Sequence, residues 1–395
     1  TESGLDDAEW STSGSLFDAD GDGDLDLFLC RYVQWSEDEV LPCLGTDVND
    51  LQTPDYCKPS RYPPSVDLFY LNDGQGHFSL HNTASGIGEV EGYGLGVVAA
   101  DYDQDGKMDL FVANDTMPDR LWQGQGDGTF VEAGFEMACD RDNSGLAKAG
   151  MGVSVTDLND DGLPDLVVCN LRGETDSLYL NRGGFFQDIT TSARLSNPSY
   201  QYTRFGLGLV DFNNDGIADY FAANGAVLAD QDATQSDPYA HQNLVLEGRV
   251  DPIRFEAVSD MGGLAMLTPR TSRGAIFADF DNDGGMDIVV LNRDAPARLL
   301  MNRTQNRGNW LLVDVRNSAG APAIGAEIDL VAGNLRHRDT VRTDSSYLSA
   351  RDHRVHVGLG DSNQVDSMRI VWPDGQTQTL SNLKVNRVIR VDSPS

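Results

Sequence analysis

Asp18-Ala-Asp20-Gly-Asp22-Gly23-Asp24-Leu-Asp26 is the first of five copies of one acidic nine-residue loop. The second and third read Asp101-Tyr-Asp103-Gln-Asp105-Gly106-Lys107-Met-Asp109 and Asp157-Leu-Asn159-Asp-Asp161-Gly162-Leu163-Pro-Asp165. The fourth and fifth read Asp211-Phe-Asn213-Asn-Asp215-Gly216-Ile217-Ala-Asp219 and Asp279-Phe-Asp281-Asn-Asp283-Gly284-Gly285-Met-Asp287. Asp or Asn stands at positions 1, 3, 5 and 9 of each copy, and Gly at position 6. Calcium takes six to eight oxygen ligands, and short acidic loops with a glycine at the sharp turn supply them. Position 7 varies among Asp24, Lys107, Leu163, Ile217 and Gly285. A side chain that varies so freely points to the backbone carbonyl as the ligand there. The loops therefore predict up to five calcium ions.

The opening of each loop matches an EF-hand, but the ending does not. An EF-hand needs a bidentate Glu at position 12, and here that place holds Leu29, Val112, Val168, Ala222 and Val290. Short apolar runs such as Leu27-Phe-Leu-Cys30 and Ile288-Val-Val-Leu291 follow instead. Runs of this kind predict strands buried on both faces.

The repeat is larger than the loop. Gly96, Gly152, Gly206 and Gly274 each stand five residues before a loop, with Ser13 in the first copy. Asn114, Asn170, Asn224 and Asn292 each stand thirteen residues after a loop start, with Arg31 in the first. Leu68-Phe-Tyr-Leu-Asn-Asp-Gly-Gln-Gly-His-Phe78, Leu121-Trp-Gln-Gly-Gln-Gly-Asp-Gly-Thr-Phe130 and Leu178-Tyr-Leu-Asn-Arg-Gly-Gly-Phe-Phe186 read as hairpins across glycine turns. Loop starts are separated by 83, 56, 54 and 68 residues. Several antiparallel strands per unit, stacked to bury shared faces, predict an all-β propeller. A calcium-binding parallel β-helix has much shorter repeats.

The chain resembles the FG-GAP/VCBS-type repeat proteins. Their signature is reproduced by Phe277-Ala-Asp-Phe-Asp-Asn-Asp-Gly284, and the resemblance covers residues 1–305. It implies propeller blades with calcium loops at the blade edge, seven blades being the common count in integrin-like members. Five units are visible here. Thr1-Glu-Ser-Gly-Leu5 resembles the blade tail Thr83-Ala-Ser-Gly-Ile87, so one or two further blades are expected before residue 1, or a ring closed otherwise.

After Asn306 the pattern changes. Trp310-Leu-Leu-Val-Asp-Val315, Glu327-Ile-Asp-Leu-Val331, Val355-His-Val357 and Met368-Arg-Ile-Val-Trp372 alternate as strands, and Pro373-Asp-Gly375 marks a turn. A small β-sandwich-like domain is expected over 306–395. Ile324-Gly-Ala326, Ser346-Tyr-Leu-Ser349, His356-Val-Gly-Leu-Gly360 and Val371-Trp-Pro-Asp-Gly375 resemble the ASPIC/UnbV domain. The resemblance implies a domain that follows such repeats in secreted bacterial proteins and in animal cartilage acidic protein.

Composition bounds the function. Lys and Arg total 29 against 62 Asp and Glu, a formal charge of −33. That balance argues against nucleic-acid binding. Twenty acidic residues lie in the five loops, so calcium is expected to stabilise by relieving their mutual repulsion. No apolar run is long enough to span a membrane, and no signal peptide is visible. Calcium loops load best at extracellular calcium levels. The expected location is secreted, cell-surface or periplasmic, with any signal removed or lying upstream.

Cys43 and Cys57 close a 15-residue loop and are expected to pair. Such a disulfide contributes roughly 3 kcal/mol on the chain-entropy model. Cys30 and Cys169 share a place at the end of a buried strand and read as core, and Cys139 has no evident partner. The six histidines show neither triad nor zinc spacing. Gly92-Tyr-Gly-Leu-Gly96 leads to a strand rather than a helix, which excludes a dinucleotide loop. Glu89 and Glu91 read as loop charge. Residues 31–67, with Tyr32, Trp35, Tyr56 and Tyr62, and residues 225–242, with Asp237-Pro-Tyr239, are insertions of the kind that carry contacts.

The expectation is a secreted, calcium-stabilised scaffold for protein or glycan partners, without catalysis. Two alternatives stand beside it: a carbohydrate-active or other hydrolytic enzyme on the same fold, and a lectin with aromatic platforms beside the metal loops.

Overall fold

The computed structural model describes residues 3–6, 9–46, 52–229 and 236–394. Five small antiparallel sheets follow one another along the chain, each with its acidic loop between the first two strands. Blade one runs Ser11–Phe17, Asp26–Arg31, Leu68–Asn72 and Phe78–Leu80. Blades two to four repeat that order from Gly94–Ala100, Val153–Thr156 and Arg204–Val210. Blade five, beginning at Ser272–Ala278, has three strands. The all-β propeller expectation is met. Thr1 and Glu2, part of the stretch compared above with Thr83–Ile87, lie outside the described residues.

The glycines before the loops have a packing cause. A Cβ on Gly96 would lie 2.4 Å from the Met151 carbonyl oxygen, and one on Gly152 would lie 2.1 Å from that of Phe205. Gly206 meets Ala275 N in the same way at 2.4 Å. The first strand of one blade thus presses backbone to backbone on the first strand of the next, which only glycine permits. Ser13 does the equivalent job in blade one by donating to the Leu95 carbonyl at 2.6 Å.

Between blades the cores are aromatic and aliphatic. Phe17, Phe69 and Phe130 meet between blades one and two. Tyr102, Tyr179 and Phe186 meet between blades two and three. Cys30, Cys139 and Cys169 are buried and unpaired, as core packing requires.

Asn309–Arg316 begins a second pair of sheets. It pairs antiparallel with Val355–Gly360 and parallel with Arg387–Asp392. The facing sheet orders Leu335–Thr340, Glu327–Ala332, Gln364–Val371 and Thr377–Lys384. Leu311, Val313, Ile328, Leu330, Met368 and Trp372 close one shared core between them, a sandwich arrangement.

One feature was invisible in the sequence. The hairpin Asp344–Ser345 and Ser349–Ala350 leaves the sandwich and lies against the first strands of the blades. Leu348 N donates to Ser13 Oγ in blade one at 3.2 Å. Ala99 N of blade two donates to Asp344 Oδ2 at 2.8 Å. Ser346 and Val153 of blade three exchange backbone hydrogen bonds of 2.7 and 3.1 Å. Leu207 N of blade four donates to Ser346 Oγ at 3.1 Å. Asp352 N, at the foot of the hairpin, donates to the Phe277 carbonyl of blade five at 3.3 Å. All five first strands are joined to one short plug. Among the described residues no helix is long and apolar enough to cross a membrane.

Candidate metal centres

Each loop is built by the same hydrogen bonds. The position-1 carboxylate accepts the N–H of the position-6 glycine at 2.8–3.1 Å: Asp18 from Gly23, Asp101 from Gly106, Asp157 from Gly162, Asp211 from Gly216 and Asp279 from Gly284. The position-5 carboxylate accepts the N–H of position 7, from Asp24, Lys107, Leu163, Ile217 and Gly285. Position 6 is left-handed in every loop, with φ between 84° and 91°. Position 4 is left-handed as well, including the non-glycine residues Gln104, Asp160, Asn214 and Asn282. Two left-handed residues this close fold the loop back on its own carboxylates.

The position-9 aspartate does something the sequence did not announce. One oxygen of Asp26, Asp109, Asp165, Asp219 and Asp287 accepts the N–H of position 2, from Ala19, Tyr102, Leu158, Phe212 and Phe280, at 2.9–3.1 Å. The other accepts the N–H at the end of the third strand, from Asn72, Gly124, Asn181, Gly248 and Asn302, at 2.7–2.9 Å. All five side chains are buried. Position 9 is therefore a staple tying the loop to the sheet, whether or not it also touches a metal.

Burial raises these carboxyls above their ordinary range. It brings Asp26 to about 6 and Asp109, Asp165 and Asp219 to about 7, with neighbouring carboxylates adding to the shift and the two N–H donors opposing it. At position 1, burial likewise raises Asp101 to about 6 and Asp211 to about 7. Concentrated negative charge in a half-dry loop is what a divalent cation relieves.

The donor sets fit a hard cation. Ligand oxygens of Asp18, Asp20 and Asp22 lie within 4.8 Å of one another, as do those of Asp101, Asp103 and Asp109, and of Asp279, Asp281 and Asp287. Loops three and four hold Asn159 and Asn213 at position 3, neutral oxygen donors whose amides reach Asp161 and Asp215 at 2.8 and 3.1 Å. In loops two and five, side-chain cations already sit on the carboxylates. Lys107 Nζ is 2.8 Å from Asp105, and Arg303 is 3.2 Å from both Asp281 and Asp283.

The sandwich stands on the far side of three loops. Arg354 donates to the Asp279 carbonyl at 2.9 Å and to Asn282 Oδ1 at 2.7 Å. His356 Nε2 is 3.1 Å from the Gly284 carbonyl, and the Trp310 indole rests on Gly284. Gly360 N donates to the Asn214 carbonyl at 2.8 Å, and Arg338 reaches the Gly162 carbonyl at 3.3 Å.

The two insertions meet each other, which their separation in sequence concealed. Cys43 and Cys57 form the expected disulfide. Beyond it, Asp55 accepts the Tyr239 hydroxyl at 2.9 Å, and Arg293 donates to the Tyr56 hydroxyl at 2.6 Å. The Arg293 guanidinium also lies 4.5 Å from the Tyr239 ring centroid. Tyr32 is half-buried and donates to Asp115 at 2.7 Å, and the Tyr62 hydroxyl accepts from Leu41 N at 3.0 Å. Those tyrosines hold the insertion down. Trp10 and Trp35, edge to face at 6.0 Å, are 48% and 37% exposed.

These loops on these sheets define the class. The FG-GAP-like repeat family is matched over residues 60–112, 101–168 and 157–222, and the ASPIC and UnbV family over 316–395. The chain belongs to the FG-GAP-repeat proteins that carry a C-terminal ASPIC/UnbV domain. Its relatives include cartilage acidic protein 1 of Xenopus tropicalis, 28% identical over 340 residues, covering 83% of this chain and 50% of that protein. The Homo sapiens protein of the same name is 28% identical over 332 residues, covering 81% and 47%. The chain spans about half the length of these curated relatives. Among solved structures, similarity extends to an Agrocybe aegerita lectin that recognises non-reducing terminal N-acetylglucosamine, at TM-score 0.35 and 15% identity over 74% of this chain and 66% of that one. It also extends to the exotype rhamnogalacturonan lyase YesX, at 0.36 and 12% over 96% and 62%. Similarity at that level carries no functional information.

Proposed function

We propose that the chain is a calcium-stabilised, non-catalytic scaffold that works outside the cell or in the periplasm and presents a protein- or glycan-binding face. The observation that carries this reading is the fivefold loop, with oxygens of positions 1, 3 and 5 or 9 converging in the three all-Asp copies. Positions 1, 3, 5 and 9, with the carbonyl of position 7, would hold the ions. Calcium would supply charge neutralisation there and no chemistry. We take residues 1–305 as the propeller and 306–395 as the second domain.

The non-catalytic part of the reading is supported by the plug. The polar groups of Asp344–Ala350 are engaged by the first strands of blades one to four rather than left free for a substrate. We assign the binding face to the insertion side, a reading supported by the exposure of Trp10 and Trp35 beside a disulfide-braced loop. Aromatic anchors on a rigid base suit protein or sugar contact.

Co-purification of the native protein and a glycan array test the reading. Binding should be lost in Trp10→Ala/Trp35→Ala at unchanged melting temperature. Turnover of a glycoside or ester panel by the purified chain would overturn it.

A further inference from the structure

We infer that the outer edge of blade five is a docking site for an extended strand donated by a different protein and led by an aromatic residue. Blades one to four show what belongs there. Each has a fourth strand: Phe78–Leu80, Phe130–Glu132, Phe186–Asp188 or Arg254–Ala257. In each, a phenylalanine pairs with the third-strand residue whose N–H is held by the position-9 aspartate. The pairs are Asn72 with Phe78, Gly124 with Phe130, Asn181 with Phe186 and Gly248 with Phe255. Blade five has the matching residue, Asn302, bonded to Asp287 at 2.7 Å. Among the described residues it has no fourth strand. The chain turns away after Asn302, and Trp310 goes to Gly284 under the sandwich.

The space for the aromatic side chain is still there. In blades two and three the phenylalanine fills the seam with the preceding blade, where Phe130 meets Phe69 and Phe186 meets Tyr102, and in blade four Phe255 joins one core with Leu178, Leu180, Ile189 and Ala193 of blade three. The seam between blades four and five instead holds a cavity of about 560 Å³, lined by Phe221, Val245, Met286, Ile288 and Leu300 and bordered by Asn302. A Phe side chain and the strand that carries it would close it.

The backbone acceptor is also present. Phe186 N donates to the Met137 carbonyl and Phe255 N to that of Ala193, at 2.7 and 2.9 Å. Met137 and Ala193 each lie seven residues after the phenylalanine of the preceding blade. The same count from Phe255 gives Gly262, which lines the cavity. Its segment runs through four consecutive left-handed residues, Asp260 to Gly263. Strand addition to an open sheet edge gains main-chain hydrogen bonds, and the pocket gives specificity. Pro296 removes a donor at the far end of Ala295–Leu300, and Leu300–Asn302 are the residues that match the paired Tyr70–Asn72 of blade one. Three of the four existing fourth strands are three residues long.

A synthetic peptide, Gly184-Phe-Phe-Gln-Asp-Ile-Thr190, taken from blade three, tests this with the full chain. Saturable binding is expected by calorimetry, with slowed amide exchange confined to residues 298–302. The peptide with Phe186→Ala should bind at least about tenfold more weakly. Val245→Trp, which fills the cavity from the blade-four side, should abolish binding while leaving the melting temperature at or above that of the parent chain. Absence of peptide binding, or equal binding of the alanine peptide, would overturn the inference. Protection of 298–302 that grows with protein concentration alone would overturn it too, by naming a second copy of the chain as the occupant.

Discussion

The Asp344 carboxylate accepts the backbone N–H of Ala99 at 2.8 Å, 245 residues away in sequence. The same oxygen also takes the Ser15 hydroxyl. Asp344 is buried, and burial raises its carboxyl while Arg342 opposes the rise. Replacing it with Ala would leave two buried donors unpaired. Asp344→Ala is expected to cost about 2–4 kcal/mol, measured by urea unfolding. Limited proteolysis should then release the sandwich from the ring before either part is degraded. A variant as stable as the parent would show that the plug is not holding the ring.

Calcium removal should be visible as a fall in melting temperature of many degrees, because five loops lose their counter-charge together. Calorimetric titration should find between three and five sites, the all-Asp loops one, two and five being the firmest. Chelator should also loosen the sandwich, since Arg354, His356 and Gly360 rest on carbonyls of loops four and five. Identical melts with calcium and with chelator would refute the assignment.

The metal-free chain should respond to pH in an unusual direction. Asp26 is raised to about 6 and Asp109, Asp165 and Asp219 to about 7 by burial. A folded-state value above the unfolded one means that the folded chain holds more protons in that interval. Through these groups, stability of the calcium-free chain therefore rises as pH falls from about 8 towards about 4. Calcium competes with those protons, so the rise in melting temperature that it causes should be largest near pH 8 and shrink by more than about half near pH 5. A shift independent of pH would contradict this.

Gly152→Ala should be severe. The added Cβ would lie 2.1 Å from the Phe205 carbonyl oxygen, forcing blades three and four apart. A loss of about 2–4 kcal/mol is expected. Gly184→Ala, on a turn with nothing within 4 Å, is the control and should change stability by less than about 0.5 kcal/mol.

Reduction of Cys43–Cys57, or Cys43→Ser/Cys57→Ser, should cost roughly 3 kcal/mol or less on the chain-entropy model. The effect should be local, because the bridge lies within one insertion. Hydrogen exchange should quicken over 52–58, and the Tyr56–Arg293 contact should loosen while blades two and three stay protected. Global unfolding on reduction would show that the insertion is part of the core.

The repeat made much of this legible. Asp and Gly at fixed positions gave the loops, and the apolar runs behind them gave the second strand of every blade. The staple role of Asp26 and its four counterparts was hidden, because a ligand and a hydrogen-bond acceptor are the same residue type in sequence. The plug was hidden for another reason. Its partners are backbone groups of Ala99, Val153 and Leu207 and small hydroxyls such as Ser13, none of which has a spacing that marks it. The missing fourth strand of blade five could have been suspected, since no Phe follows Asn302 at the usual distance. The meeting of Tyr56 with Arg293 had no sequence signal at all, being a contact across 237 residues.

The plug also fixes how the molecule would carry traction. A ring of blades joined only edge to edge would peel apart at one seam, each seam breaking in turn. Here a pull on the C-terminal sandwich reaches Ser13, Ala99, Val153, Leu207 and Phe277 through a single hairpin. The load divides among five strands at once. A protein built this way is suited to being tugged.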